Sequence, residues 1–158
     1  MKKQFLVGSV LGTVLLGVVL AVTVGGAVAR TTAATPLPAS SCSGIQGTGD
    51  GLIASDLPLQ GAGRTQTVQM TKAIAYIFGQ AGWKAGNTTI AYQSCDDSTA
   101  QAGKWDSGKC STNANAYASD ASVVGNIGTF NSGCAEIEIP INNRAPRGPL
   151  AQICPANT

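Results

Sequence analysis

Between residues 51 and 153 the chain alternates short apolar runs with stretches whose apolar residues recur at helical spacing. That alternation narrows the fold more than any other feature. Gly51-Leu52-Ile53-Ala54-Ser55 reads as a short strand, followed by a turn over 58–63 rich in Pro and Gly. Val68, Ala73, Ile74, Ile77 and Phe78 then recur as on one face of a helix, until Gly79 and Gly82 stop it. Residues 88–92 form a second strand pattern, 114–118 suit a helix, and 122–128 read as a buried strand ending in glycine. A helix begins over 132–139, and after an Arg-Pro loop the run 150–153 is a last strand. Strands alternating with helices predict an α/β fold, a Rossmann-like parallel sheet with flanking helices and right-handed crossovers.

In open sheets of this kind, ligands bind outside the carboxyl ends of the strands. Those ends hold the small polar loops of this sequence: 60–65 after the first strand, 94–97 after the second, 129–133 after the third and 155–158 after the fourth. Two of them run into helix N-termini, whose free amides attract a carboxylate or phosphate. Each loop taken singly is an ordinary turn or N-cap. Four on one face point to a ligand site.

The first thirty residues are a separate matter. Lys2 and Lys3 precede an uncharged apolar run from Phe5 to Val28, which Ala27-Val28-Ala29 closes and Arg30 follows. This is the order of a secretory signal, but the run approaches the ~20 apolar residues that span a bilayer, so 1–30 is a signal peptide or a membrane anchor. Ser40-Ser41-Cys42 is a poor lipoprotein site. Residues 31–50, rich in Thr, Ala, Pro, Ser and Gly, read as a linker. Of 10 Lys plus Arg, three (Lys2, Lys3 and Arg30) lie in the leading segment, which leaves 7 against 8 Asp plus Glu. No basic patch suggests nucleic acid. The chain has no histidine, the commonest general base and metal ligand. No Ser-His or Cys-His pairing is therefore available for nucleophilic catalysis, and no catalytic residue or cofactor is assigned.

Five cysteines suit an exported chain and leave at least one without an intrachain partner. Cys95 and Cys110 bracket a polar insertion, and a bridge there would close a loop of about 15 residues, worth ~3 kcal/mol in the chain-entropy model. That pair is favoured, with Cys134–Cys154 second and Cys42 free. A metal site at Cys95-Asp96-Asp97 is disfavoured, since there is neither a His nor a Cys-x-x-Cys. Gly61-Ala62-Gly63 lacks the third glycine of a dinucleotide loop, because position 66 is Gln. Asn87-Thr88-Thr89 fits the glycosylation pattern, and Trp83 and Trp105 fall in loops suited to covering the sheet.

The stretches "SDLPLQG", "YQSCDDSTAQAGKWDSGKC", "VVGNIGTFNSGCAEIEIPINNRAP" and "CPANT" resemble the branched-chain amino acid type of periplasmic substrate-binding protein, the receptor of an ATP-driven importer. The likeness runs in order from Gly51 to Thr158, with "GTFNSGCA" and "PANT" its most specific parts. It implies that residues 51–158 are part of the N-terminal lobe of a type I periplasmic binding protein, truncated before the hinge and second lobe. It also implies an amino-acid-like ligand held by Ser132, Gly133, Ala156 and Thr158, with Arg64 and Thr65 facing the cleft. The implied partners are permease subunits of an ABC transporter, with contact to the membrane only through the N-terminal segment. The implied location is periplasmic or cell-surface. A membrane-tethered sensor of the same fold is the alternative. Neutral donors and acceptors suit a zwitterion, because they satisfy both its ends without burying an unpaired charge.

Overall fold

A computed structural model describes residues 33–157. The signal or anchor segment at 1–30 and Thr158 lie outside the described residues. The elements run β1 (Gly51–Leu57), α1 (Arg64–Gln80), β2 (Lys84–Ala85), β3 (Thr88–Asp96), α2 (Ser107–Ser119), β4 (Val123–Gly128), α3 (Ser132–Asn142) and β5 (Ala151–Ile153). The strands form one five-stranded sheet in the order β2-β3-β1-β4-β5. Pairing is parallel throughout except for β2, a two-residue strand antiparallel to the start of β3. The α/β, Rossmann-like architecture expected from the alternation is therefore present. Every strand and helix read from the periodicity has its counterpart, and β2 is the addition.

β1 sits in the middle and pairs on both edges, so it reads as a continuous apolar run: Leu52, Ala54 and Leu57 are fully buried. The chain winds outward from β1 to β3, then returns past β1 to β4 and β5. With right-handed crossovers, that reversal puts α1 on one face and α2 and α3 on the other. On the α2 face Leu52, Ala54, Ala91, Cys95, Tyr117 and Val123 form the hydrophobic core. Phe78 of α1 packs edge-on against Tyr92, 5.8 Å between ring centroids, on the opposite face.

Residues 33–50 are not a free linker. Ser43 N–H donates to Ser94 carbonyl (2.8 Å), Gln46 and Tyr92 exchange backbone hydrogen bonds at 2.8 and 2.9 Å, and Asp96 N–H donates to Ser41 carbonyl (2.9 Å). The arm thus runs antiparallel along the β3 edge beyond β2, covering amides and carbonyls that would otherwise face water as an open sheet edge. Leu37 and Cys42 are buried in the core, and Gln93, itself buried, accepts from Leu37 N–H (2.8 Å) and donates to Ser43 carbonyl (2.6 Å). Its Thr, Ser and Gly content conceals this role, because backbone pairing needs no particular side chain.

The disulfides differ from the expected pairs. Cys42 bonds Cys95, and Cys110 bonds Cys134, leaving Cys154 free. Cys95 faces the arm, which brings Cys42 against it across an antiparallel bridge. Cys110 lies in the first turn of α2 and meets the first turn of α3, because these two helices pack side by side. Neither Cys95–Cys110 nor Cys134–Cys154 forms. Cys154 instead sits at the end of β5, its thiol 3.1 Å from Gly128 carbonyl. Two disulfides suit an oxidising environment. Among the described residues no helix is long and apolar enough to cross a membrane.

The Cys42–Cys95 bond, with a sequence separation of 53, is expected to stabilise the fold by about 4 kcal/mol in the chain-entropy model. Replacing both cysteines by alanine should lower the urea midpoint accordingly and speed amide exchange over residues 41–46 before the rest of β3. Unchanged exchange in the arm would show that the disulfide does not hold it. Non-reducing peptide mapping checks the connectivity directly and should alkylate Cys154 alone.

Candidate functional site

The strand order makes β1 and β4 the neighbours between which the winding direction changes, so their carboxyl ends flank a crevice rather than a continuous crossover. α1 starts beyond β1 at Arg64, and α3 starts beyond β4 at Ser132. Neither helix has a side-chain hydrogen bond at its N-cap (Gly63 and Asn131), and neither has an acidic residue in its first turn. α2, which starts beyond β3, is capped: the Asp106 carboxylate accepts from Lys109 N–H at 3.0 Å. Neither helix start beside the crevice is closed by a side chain, although backbone carbonyls engage some of their amides: Arg64 N–H donates to Gly61 carbonyl (3.3 Å) and Cys134 N–H to Asn131 carbonyl (3.1 Å).

The loops around this crevice are rigid for local reasons. Asp96, at the end of β3, accepts from Leu59 N–H (2.8 Å), Gln60 Nε2 (2.8 Å) and Ser98 N–H (2.9 Å), and also from the Ser98 hydroxyl. Burial alone would raise its pKa, but these hydrogen bonds outweigh that and hold the carboxyl below the usual range. Thr67 turns its hydroxyl back to Pro58 carbonyl (2.6 Å), fastening the first turn of α1 to the β1 loop. Gly61 has φ +73°, and a Cβ there would lie 1.7 Å from Gly103 carbonyl oxygen, so only glycine fits. Beyond β4, Thr129 donates its hydroxyl to Asn131 carbonyl (2.7 Å) and accepts from Asn157 Nδ2 (3.2 Å), which ties the turn after β5 to the turn after β4.

The residues singled out in the sequence are distributed along this carboxyl edge. Ser132 and Gly133 open α3, Arg64 and Thr65 open α1, and Ala156 lies in the turn that Asn157 fastens to Thr129. Arg64, Thr65 and Ala156 are exposed, while Ser132 and Gly133 are half-buried. Gly133 is there for space: the indole of Trp105 lies over it, and a Cβ would come 2.6 Å from Trp105 Cζ2. Trp105 thus lies against the start of α3. A cavity of 540 Å³ elsewhere, between the arm and α1, is lined by Ser43, Gln46, Lys72, Tyr76 and Ser94 and contains none of these residues.

A second cluster lies beneath the same edge, and the sequence does not announce it. Asp56 in β1, Asp97 just past β3 and Glu138 in α3 are all fully buried. The donors to Asp56 and Glu138 include neutral amides. Asn113 Nδ2 donates to Asp56 Oδ1 (2.8 Å), while Asn126 Nδ2 (2.9 Å) and Gln152 Nε2 (3.3 Å) donate to Glu138 Oε2. Asp56 also meets Glu138 and the Tyr117 hydroxyl, whereas both Asp97 carboxylate oxygens and Asn126 Oδ1 are buried with no hydrogen-bond partner. The Cys110–Cys134 disulfide lies among them, with Cys134 Sγ 3.5 Å from Glu138 Oε1.

Burial pushes Asp56 up to about 6, partly offset by its contacts with Glu138, Asn113 and Tyr117. Burial, then the charges of Asp56 and Asp96, push Asp97 up to about 8. Burial together with the facing Asp56 carboxyl pushes Glu138 up to about 12. Desolvated like charges so close cannot all ionise, so the cluster holds protons at neutral pH. The polar pattern that would reveal these acids is a charged residue inside an apolar strand, as at Asp56, and the spacing gives no hint of its partners.

No protein-family model, curated protein or solved structure matches the chain.

A carboxyl whose folded pKa exceeds its unfolded one contributes stability that is fully present below the unfolded value and is lost as pH rises through the folded value. Asp97, raised from 3.8 to about 8, should therefore cost on the order of 5 kcal/mol of stability between about pH 4 and pH 8. Urea unfolding across that window should show stability falling with pH, and Asp97→Asn should flatten the fall. A wild-type profile that rises from pH 4 to 8 would contradict the protonated cluster.

Proposed function

We propose that the chain is the ligand-gripping part of an extracytoplasmic solute-binding protein of an ABC importer, taking branched-chain amino acids or related amino-acid and amide ligands. The observation behind this reading is the pair of side-chain-uncapped helix starts, α1 and α3, flanking the winding reversal between β1 and β4. The resemblance of "GTFNSGCA" and "PANT" to the branched-chain amino acid binding proteins supports the choice of ligand class.

The ligand carboxylate sits at the start of α3, receiving the Gly133 amide and the Ser132 hydroxyl, where the helix end favours negative charge. The ligand ammonium meets acceptors from the turn beyond β5, the Ala156 carbonyl and the Thr158 hydroxyl. Arg64 and Thr65 approach from the α1 side. All these groups but Arg64 are neutral, so a zwitterion is held without stranding a buried counter-charge. Export through the N-terminal segment accords with two disulfides, which an oxidising compartment maintains. Permease subunits of the importer are the partner. Binding proteins of this kind gain affinity when a second lobe closes over the ligand, so these residues alone provide a shallow, weak site.

Titration of the isotopically labelled chain with leucine, valine and small amides, followed by amide NMR, tests this. Millimolar binding with shifts concentrated at residues 129–133 and 155–158 is expected. Ser132→Ala should weaken it by about tenfold or more, the loss of one hydrogen bond to a charged group. Shifts confined to other surfaces, or none at tens of millimolar ligand, would overturn the assignment.

A further inference from the structure

The buried acids surround a disulfide, and the atoms that flank it are arranged as metal ligands are. One ligand atom each from Asp97, Cys110 and Cys134 lie within 4.8 Å of one another. The same holds for Asp56, Cys134 and Glu138, so Cys134 is shared between the two groups. Two thiolates and a carboxylate at three corners of a tetrahedron around zinc stand about 3.5 to 4 Å apart, given Zn–S near 2.3 Å and Zn–O near 2.1 Å. Cys134 Sγ and Glu138 Oε1, 3.5 Å apart, already meet that spacing.

The surroundings also lack what an ordinary polar core would provide. Both Asp97 oxygens are buried without a donor. Independently of the acids, Asn126 Oδ1, on a residue 2% exposed, is also without a partner. Asn126 spends its amide nitrogen on Glu138 Oε2, so its orphaned oxygen lies in the same seam. A buried acceptor without a donor calls for a proton, a water or a cation to satisfy it.

We propose that Cys110, Cys134 and Asp97 form a latent site for a thiophilic divalent cation of the zinc class, closed while Cys110 and Cys134 are joined and opened by their reduction. Glu138, with Asp56 beside it, stands next to Cys134. A dithiol reductant supplies two electrons and two protons, the S–S bond breaks to two thiols, and the reductant leaves as its own disulfide. Zinc then displaces the two thiol protons and any Asp97 carboxyl proton, forming two Zn–S bonds and one Zn–O bond, with water in the fourth position. The oxidised protein excludes the metal, because a disulfide sulfur is a poor ligand. Metal binding and redox state are therefore mutually exclusive readouts of one cluster. Reduction also removes the covalent tie between the first turns of α2 and α3, which gives the ion its way in.

The test uses the full chain carrying Cys154→Ser, reduced with a phosphine under argon and titrated with Co2+ and then Zn2+. The reduced protein should take one Co2+ with a near-ultraviolet thiolate charge-transfer band and visible bands of tetrahedral Co2+, which Zn2+ bleaches. The oxidised protein should show neither. Cys42→Ala/Cys95→Ala should retain the bands and Cys110→Ser/Cys134→Ser should lose them. Asp97→Asn should weaken Zn2+ binding by at least about tenfold, the lower range for disturbing a zinc site. Circular dichroism accompanies each titration. A reduced chain that takes no metal overturns the proposal, whether it stays folded or unfolds without being refolded by Zn2+. Bands that survive in Cys110→Ser/Cys134→Ser, or unchanged affinity in Asp97→Asn, overturn it as well.

Discussion

β1 is hydrogen-bonded along both edges, and that single constraint organises the molecule. A strand paired on both sides in a parallel sheet has no wet face, so its side chains must find partners above and below. Leu52, Ala54 and Leu57 do so by packing. Ser55 does so by a 2.7 Å hydrogen bond to the Tyr92 hydroxyl, which sets β3 against β1. Asp56 cannot do so by packing, and the remaining polar architecture of the α2 and α3 face follows from it. Asn113 is drawn in from α2, Glu138 faces it from α3, and Asn126 and Gln152 extend the network to β4 and β5.

The consequence is a protein whose two layers are joined by different chemistry. The α1 layer meets the sheet through aromatic and aliphatic contacts around Phe78 and Tyr92. The α2 and α3 layer meets it through a polar seam closed by a disulfide at the helix starts. A polar seam is costly unless it specifies something, because each desolvated carboxyl forfeits its hydration. Here it lies directly beneath the edge where the helix starts of α1 and α3 converge. The loops that would meet a ligand are thus built on a layer held by directional bonds rather than by sliding apolar surfaces.

How much of this was legible follows from which signals are local. The strands and helices were legible because burial on both faces of β1 and β4 leaves apolar runs, and crossovers leave helical periods. β2 was not, since Lys84-Ala85 is held by backbone pairing to Thr88 and Thr89 and has no apolar pattern. Residues 31–50 read as a linker because the edge pairing of the arm is also a backbone matter. Cysteine spacing misleads for a related reason. Loop closure rewards neighbours in sequence, whereas Cys110 meets Cys134 because α2 packs on α3, and Cys95 meets Cys42 because the arm covers β3. Of the site, the carboxyl-edge placement of Arg64, Thr65, Ser132, Gly133 and Ala156 follows from topology alone. The assembly of Asp56, Asp97 and Glu138 does not, since three acids from separate elements leave no spacing to recognise.

The α1 face near β4 and β5 completes the contrast. Ile53, Phe78, Val124, Ile127 and Ile153 line a hollow of 270 Å³ there, and Val124 and Ile153 are more than half exposed. α1 reaches β3 but leaves this part of the sheet bare, because its crossover leads away from β4. Val124 and Ile153 face water for the same reason that Glu138 is buried. The reversal at β1 sends α2 and α3 to one side, so that side is doubly covered while the other keeps a single helix. The apolar surface left open and the acids shut in are two results of one winding rule acting on a strand that cannot turn either face to solvent.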